Sequence, residues 1–368
     1  MEKLVFIGGG HAHLSCILNI EEFLELGMNV TVISPSEYLY YSGMGPGLLG
    51  GFYEPSECRF NIKGLVEQAG GEFIEEKVTQ VDPENKVLTL ESGTQIFYDI
   101  ASFDVGSYIP SENLQIKESK VILVKPISNL VEARQEIKNL KSDQTVDVCV
   151  VGGGPSGTEL AGNLWRTLSK HKLNFKITLI TDDLLLSEHP IKIRKYALKS
   201  LKERGVEVKE NQTVERIENN TIYLENNQTL QGDLIFLAIG TKPRNIFENS
   251  GIPTSSDSAM VVDKYLRSIK YPNVFGGGDC IEFEERKLDR VGVYAVRENP
   301  ILLHNIKASI RKKPLKAFSP QKKYLLILNL GNRKGILWRG NLTYKGKLAF
   351  RLKNFIDKRF MKKYQLKR

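Results

Sequence analysis

The 368-residue chain is 41% hydrophobic and 26% charged, with a formal net charge of +9, long enough for two domains with sizeable cores and unlike a disordered or fibrous chain. No apolar run approaches the roughly 18 residues of a spanning helix, and Met1-Glu-Lys runs straight into a short strand rather than a signal peptide, so the sequence reads as neither integral to a membrane nor secreted. The charge is uneven: residues 301–368 carry 20 Lys and Arg against a single acid, Asp357, so a tail of +19 follows a body of −10 and points to an anionic partner surface.

The first predicted element is a strand, Leu4–Ile7, that runs into Gly8-Gly-Gly10-His11-Ala12-His13. An apolar-periodic helix to about Leu26 and a strand Val30–Ile33 follow, which makes one βαβ unit. In such a unit Gly8 supplies the tight turn, Gly10 lets backbone approach a pyrophosphate, and the helix N-terminus takes the negative charge. Two positions depart from that pattern. His13 stands where a third glycine is usual, and Ser34 where an acid would bond a ribose. The stretch Tyr38–Gly47 is dense in aromatics and turn residues and reads as a loop able to bring backbone, at Gly43, close to a flat ring, or as a plain surface turn. Short strands follow at Glu72–Ile74, Lys77–Val81 with Val78, Lys86–Leu90 and Gln95–Tyr98, and the run Ile100–Ser107 ends through Gly106.

Pro110–Val124 reads as a linker to a helix over Ile127–Leu140. Next comes the strongest motif of the chain: the apolar run Val148–Val151, then Gly152-Gly-Gly154-Pro155-Ser-Gly157-Thr-Glu159-Leu-Ala-Gly162. Gly152 makes the turn, Gly154 opens it to a pyrophosphate, and Gly157 lets helix and sheet pack closely. The second strand of this unit, Lys176–Ile180, is followed by Thr181-Asp182-Asp183. Asp182 is the candidate ribose acid, and no adjacent arginine awaits a 2′-phosphate, which favours NADH over NADPH.

A helix over Ile191–Arg204 and two further strands lead to Ala238-Ile-Gly240-Thr-Lys-Pro243. Asn273–Cys280 is again a strand meeting glycines and then an acid, Asp279, of a kind that bonds a ribityl hydroxyl. Gly292-Val293-Tyr294 opens an apolar helix, whose N-terminus would stabilise a reduced flavin anion. The tail reads as a hairpin over 324–342 turning at Gly331–Gly335, then a helix over Lys347–Tyr364. That helix puts Leu348, Leu352, Phe355, Ile356 and Phe360 on one side, with Arg351, Lys353, Lys358, Arg359 and Lys362 around it. Such a face suits an anionic membrane surface, or docks on the body or on a second subunit as a homodimer. Nucleic acid is disfavoured for want of a motif. The four cysteines, Cys16, Cys58, Cys149 and Cys280, have no metal-site or redox spacing, so no metal is expected and a reducing compartment is. Cys280, at a predicted helix start, is a packing residue or a thiol of lowered pKa. His11 and His13, also at a helix start, read first as backbone partners rather than bases.

The order of Gly-Gly-Gly at residue 8, Gly-Gly-Gly-Pro-Ser-Gly-x-Glu at 152, Ala-Ile-Gly-x-x-Pro at 238 and Gly-Gly-Asp-Cys at 277 resembles the two-dinucleotide-domain flavoproteins of the pyridine nucleotide-disulfide oxidoreductase superfamily. Tyr41-Ser-Gly-Met44, Gly292-Val-Tyr-Ala and Ile356–Met361 resemble type II NADH dehydrogenase-like proteins, especially the FAD-containing domain fused to selenide, water dikinase. The resemblance implies an α/β fold of two Rossmann-like domains: FAD on residues 1–115 and 246–315, NAD(P)H on 116–245, and a basic C-terminal module on 316–368. It implies FAD contacts at Gly8, Gly10, His11, Ala12, Ser34, Gly43, Val78, Gly106, Asp279, Gly292 and Val293. For the nicotinamide dinucleotide it implies Gly152, Gly154, Pro155, Gly157, Asp182 and Gly240, with Glu159 and Tyr294 as catalytic residues. Hydride would pass from nicotinamide to flavin and electrons on to a quinone, in a cytoplasmic protein peripheral on the inner face of the membrane. The paired cysteines of the disulfide reductases are missing, since that region offers only Cys58. A sulfide:quinone-type flavoprotein and a flavin-binding redox sensor or scaffold linked to selenium metabolism are the alternative readings.

Overall fold

Runs of Val, Ile, Leu and Phe that are apolar on both faces belong in parallel sheets covered by helices. The computed structural model describes residues 1–140 and 144–365. Its first sheet orders Val274–Gly276, Ile100–Phe103, Glu2–Ile7, Met28–Ile33 and Glu72–Ile74, every pairing parallel. Its second orders Val121–Leu123, Leu234–Leu237, Thr145–Val151, Asn174–Ile180 and Glu207–Lys209, again all parallel. The fold is therefore α/β with two Rossmann-like units, and the first draws its edge strand from residue 274 onward. Register sets Ile7 beside Ile33 and Phe103, and Val151 beside Ile180 and Leu237. Both glycine turns thus leave the carboxyl ends of equivalent central strands, where open α/β sheets bind ligands.

Helices α1 (Leu14–Leu18) and α2 (Ile20–Glu25) replace the single helix expected to Leu26. Asn19 breaks it, because its side-chain amide donates to the Ser15 carbonyl at 2.7 Å. The expected aromatic loop is more ordered than its composition suggests: Tyr38–Tyr40 is a strand and Gly45–Leu49 a helix, α3. Gly45 and Gly47 sit in that helix because a Cβ on Gly47 would press on the Tyr53 ring at 2.6 Å, and one on Gly45 would meet Ile127 at 3.0 Å. Helix α4 is Ile62–Gln68 and α5 Ser128–Asn139. The segment that reads as a linker holds strands Gln115–Lys117 and Val121–Leu123, the second of which is the edge of the second parallel sheet. Helices α6 (Pro155–Lys170), α7 (Ile191–Lys202) and α8 (Gly292–Ile310) follow.

The tail is a three-stranded antiparallel sheet, Leu326–Asn329, Gly335–Arg339 and Leu342–Gly346, rather than a two-stranded hairpin, and it ends in α9, Lys347–Lys363. The last three residues of the expected C-terminal module lie outside the described residues. Among the described residues the buried apolar side chains form two hydrophobic cores, one with each parallel sheet, and the tail joins both. Leu328, Leu330 and Ile336 pack into the second core, while Met361 and Tyr364 pack into the first.

Candidate functional site

The second glycine turn is an open cradle. Gly152 has φ +119°, and a Cβ there would strike the Ala238 carbonyl, while one on Gly157 would strike the Gly152 carbonyl. Only glycine permits this closeness. Gly154 differs: at φ −71° it is ordinary backbone, and a Cβ there meets no neighbour within 4 Å. Pro155 follows in the first turn of the 16-residue α6, so its missing N–H deprives the helix of nothing. Gly240, at φ +90°, also faces open space. Asp182 is exposed, and Thr181, buried, stands at the strand end with its side chain against Gly153. A turn with room beside Gly154 fits a dinucleotide pyrophosphate.

The first turn repeats the plan with two changes. Gly8, at φ +90°, closes on the Asp104 carbonyl as Gly152 closes on Ala238. At Gly10, however, the place of a Cβ is taken by the Asp104 carboxylate. That carboxylate accepts from the Ala12 N–H at 2.7 Å and the His13 N–H at 3.2 Å. His13 replaces the third glycine without a clash, because its Nδ1–H donates to the Gly8 carbonyl at 2.7 Å and its Nε2 accepts from Ser102 Oγ at 2.9 Å. Burial holds its pKa down, at about 4, so the ring is a neutral tie between the turn and the sheet.

His11 is another case. Its Nε2 is buried with no hydrogen-bond partner among the described residues, and its ring lies 5.4 Å from Tyr41. Burial lowers its pKa to about 4 although Asp279 pulls the other way. Asp279 itself accepts from Ser107 Oγ at 2.6 Å and from Lys125 Nζ at 2.7 Å. Burial would raise its carboxyl, but Lys125 and Ser107 hold it below the usual range. Open space at Gly106 (φ +67°), the partnerless His11 Nε2 and the Lys125–Asp279 pair fit the ribityl and phosphate side of FAD. Gly292 and Val293 open α8, and Tyr294 donates to the Gln321 carbonyl at 3.3 Å. Two predicted residues keep to local structure: Ser34 Oγ donates to the Ser36 carbonyl at 3.2 Å, and Val78 pairs with Leu90 in a separate antiparallel sheet.

The two units meet at Glu159. Its Oε1 accepts from the Asn329 N–H of the tail at 2.6 Å, and the Asn163 side chain ties the Asn329 carbonyl at 3.1 Å. Arg204 bonds the Leu330 carbonyl at 2.6 Å, which fixes the tail sheet against Gly162 on α6. From the other side α9 brings Lys353, whose ammonium donates to the Gly43 carbonyl at 2.6 Å and to Asp357 at 2.9 Å. Burial pushes the Asp357 carboxyl up, and the Tyr41 hydroxyl close to it helps Lys353 hold it back. Burial pushes the Glu159 carboxyl up to about 7, while Lys353 and the Asn329 amide pull it back. Glu159 is thus poised to hold or release a proton near neutrality.

Sequence reasoning missed Lys125, Asp104, Lys353 and Asp357 as site residues. One signal for the last pair was present: the single acid of a basic tail sits four residues after a lysine. All four cysteines are buried. Burial pushes Cys58 and Cys149 up to about 12 and raises Cys16 and Cys280 too. Of the two readings of Cys280, a packing residue or a thiol of lowered pKa, the structure agrees with the packing residue: the buried thiol lies in the turn Gly278–Cys280 with the Gly277 carbonyl as partner, and burial raises its pKa.

Comparison with known proteins agrees with this architecture. A family model described as pyridine nucleotide-disulphide oxidoreductase matches residues 2–302. A probable NADH dehydrogenase of Dictyostelium discoideum is 23% identical over 95% of this chain and 83% of its own length. Among solved structures, the sulfide:quinone oxidoreductase of Aquifex aeolicus superposes with a TM-score of 0.81 at 20% identity, over 99% of this chain and 92% of that one. NDH2 of Plasmodium falciparum, in complex with NADH, gives 0.78 at 17% identity over 98% of both chains.

Proposed function

The chain belongs to the pyridine nucleotide-disulphide oxidoreductase family, and we propose that it oxidises NAD(P)H through FAD and passes the electrons to a quinone at a membrane surface. FAD, when bound, supplies an acceptor for the nicotinamide hydride and a donor of electrons to the quinone. The protein's own part is to hold, orient and proton-balance. Gly154 and Pro155 receive the dinucleotide diphosphate at the start of α6. His11, Ser107, Lys125 and Asp279 hold the polar side of the flavin nucleotide, and α8 directs its N-terminal dipole from Gly292 and Val293. Tyr294 backs that turn from the Gln321 carbonyl as a positioning residue. Exposed Asp182 stands for the ribose acid and favours NADH.

The observation that carries the reading is Glu159: a carboxyl of shifted pKa on the helix of the second cradle, facing Lys353 and the Gly43 turn of the first unit. Quinone reduction consumes protons, and Glu159 is placed to pass them on. The decisive test is anaerobic titration of the flavin absorbance with NADH, then NADPH, followed by a short-chain quinone. Prompt bleaching reversed by quinone is expected, and a yellow protein indifferent to both nucleotides would sink the proposal. Buried thiols of raised pKa weigh against sulfide as the reductant.

The sign of the pH effect follows from the acid form of Glu159, which predominates below about 7. Quinone reduction should therefore fall as pH rises through that value. Glu159→Gln should give a lower, flat profile. Lys353→Met, which removes the cation that holds the carboxyl down, should move the fall to higher pH; stopped-flow reoxidation by quinone reads all three.

No helix among the described residues is long and apolar enough to cross a membrane. The reading for the tail is peripheral docking on the inner face. Leu342, Leu348 and Phe355 are 60–63% exposed and Leu352 is 40% exposed, beside Lys345, Lys347, Arg351 and Lys358. Phe360 does not share this face as the stripe predicts, since it turns inward onto Tyr41 at 4.8 Å. Apolar insertion plus basic charge suits anionic lipid. Leu348→Ser with Phe355→Ser should reduce co-sedimentation with phosphatidylglycerol vesicles about tenfold, the loss of roughly 1.4 kcal/mol from two side chains that each offer more on full burial.

A further inference from the structure

The two glycine turns of this chain are built alike, and besides His13 in place of the third glycine they differ at the middle glycine. At Gly154 the space beside the α-carbon is open, while at Gly10, the equivalent position, it is filled by the Asp104 carboxylate. The filling is not casual. Asp104 is 5% exposed and holds the N–H groups of Ala12 and His13. Its other oxygen lies so close to Gly278 that a Cβ there would meet it at 2.5 Å, and Gly278 has φ +74°.

No cation faces this carboxylate in the described structure. From α8 comes Glu298, whose Oε2 accepts from the Gly278 N–H at 2.6 Å; from the Gly278–Cys280 turn come Asp279 and the Cys280 thiol. From the first turn and α1 come the neutral ring of His13, already committed to Gly8 and Ser102, and the Cys16 thiol. Among the described residues, the Lys125 ammonium is taken by Asp279, and that of Lys307, which lies near the Cys16 thiol, is taken by Glu22. A diphosphate arriving beside Gly10 would therefore bring its charge against a carboxylate that occupies the place and the amides it needs.

We propose that Asp104 is a proton-linked carboxyl filling the first turn, and that FAD binds there only with this carboxyl in its protonated form, drawing a proton from solvent wherever the carboxyl is ionised beforehand. The inference rests on the FAD reading above. Its physical basis is that like charges in a dry site do not both persist, so one is neutralised. Burial already holds the Asp104 carboxyl well above the usual carboxylate range, against the pull of the Ala12 amide, and raises Glu298 to about 8. A phosphate pushes Asp104 further the same way. The sign is fixed: binding takes up protons, so FAD affinity falls as pH rises.

The test is equilibrium binding of FAD to the deflavinated full chain between pH 6 and 9, read by flavin fluorescence. Calorimetry in two buffers of different ionisation enthalpy counts the protons. The wild-type Kd should rise with pH, by up to tenfold per unit for one linked proton, with up to one proton taken up. Asp104→Asn keeps the shape without the charge and should bind at least tenfold more tightly at pH 8, with its slope reduced. Glu298→Gln, which removes the other buried acid, should keep the slope and so assigns the proton. Weaker binding by Asp104→Asn at every pH, or an unchanged slope in it, overturns the proposal. Proton release by the wild-type protein overturns it without any variant. FAD refused by wild type and variants alike at every pH overturns the FAD reading and the inference together, whereas a tight, pH-independent wild-type complex overturns the inference alone.

Discussion

Gly154→Asp will leave the protein folded and yellow and will raise the KM for NADH by about 100-fold or more. The backbone at Gly154 has φ −71°, which any residue adopts, and the space beside it is open. Aspartate is also a favoured N-cap, so α6 should be no less stable. What the carboxylate removes is the place of a pyrophosphate and the charge preference of the helix end. Two charge-assisted hydrogen bonds lost at about 1.5 kcal/mol each give roughly that factor. Steady-state kinetics with NADH measures it, and a thermal melt verifies that the fold survives. An unchanged KM would mean that the open cradle does not receive the dinucleotide.

Asp357→Ala will lower the stability of the folded chain by about 3 kcal/mol, because it strands a buried ammonium. Lys353 and Asp357 have side chains only 14% and 5% exposed, 2.9 Å apart. Burial opposes the Lys353 charge, but Asp357 and Glu159 outweigh it and hold its pKa above the ordinary value. Removing Asp357 leaves the Lys353 ammonium without its ion-pair partner, with only the Gly43 carbonyl to bond, whereas removing both leaves an apolar contact. Lys353→Met with Asp357→Leu should therefore recover most of the loss, and urea titrations of the three proteins give the comparison. If the single replacement proves as stable as the double, the pair does not hold α9.

The turns at Gly8 and Gly152 could be read from sequence because their chemistry is local: an apolar strand, glycines at fixed offsets and a helix lie within one short stretch. The helix at Gly45–Leu49 could not, since Gly-Pro-Gly reads as a turn until the Tyr53 ring and Ile127 are in place to demand the missing side chains. Asp104 and Lys125 were invisible for a related reason. Each lies far along the chain from the turn or the acid that it touches, and only strand order brings them there. The amphipathic reading of α9 was right about Leu348, Leu352 and Phe355 and wrong about Phe360, because period alone cannot say where a helix leaves one neighbour and meets another.

The tail sheet is bonded to α6 through Asn163 and Arg204, while α9 ends with Tyr364, whose hydroxyl meets Ser15 at 3.3 Å and accepts from Asn299 at 3.2 Å in the first unit. One continuous segment is therefore riveted at its two ends to the two nucleotide-binding halves, like a strut across a hinge. Swinging those halves apart would tear both sets of rivets and bare two cores at once. The molecule is in this sense a braced frame, in which the tail, rather than the contact of the two halves alone, fixes how they face each other.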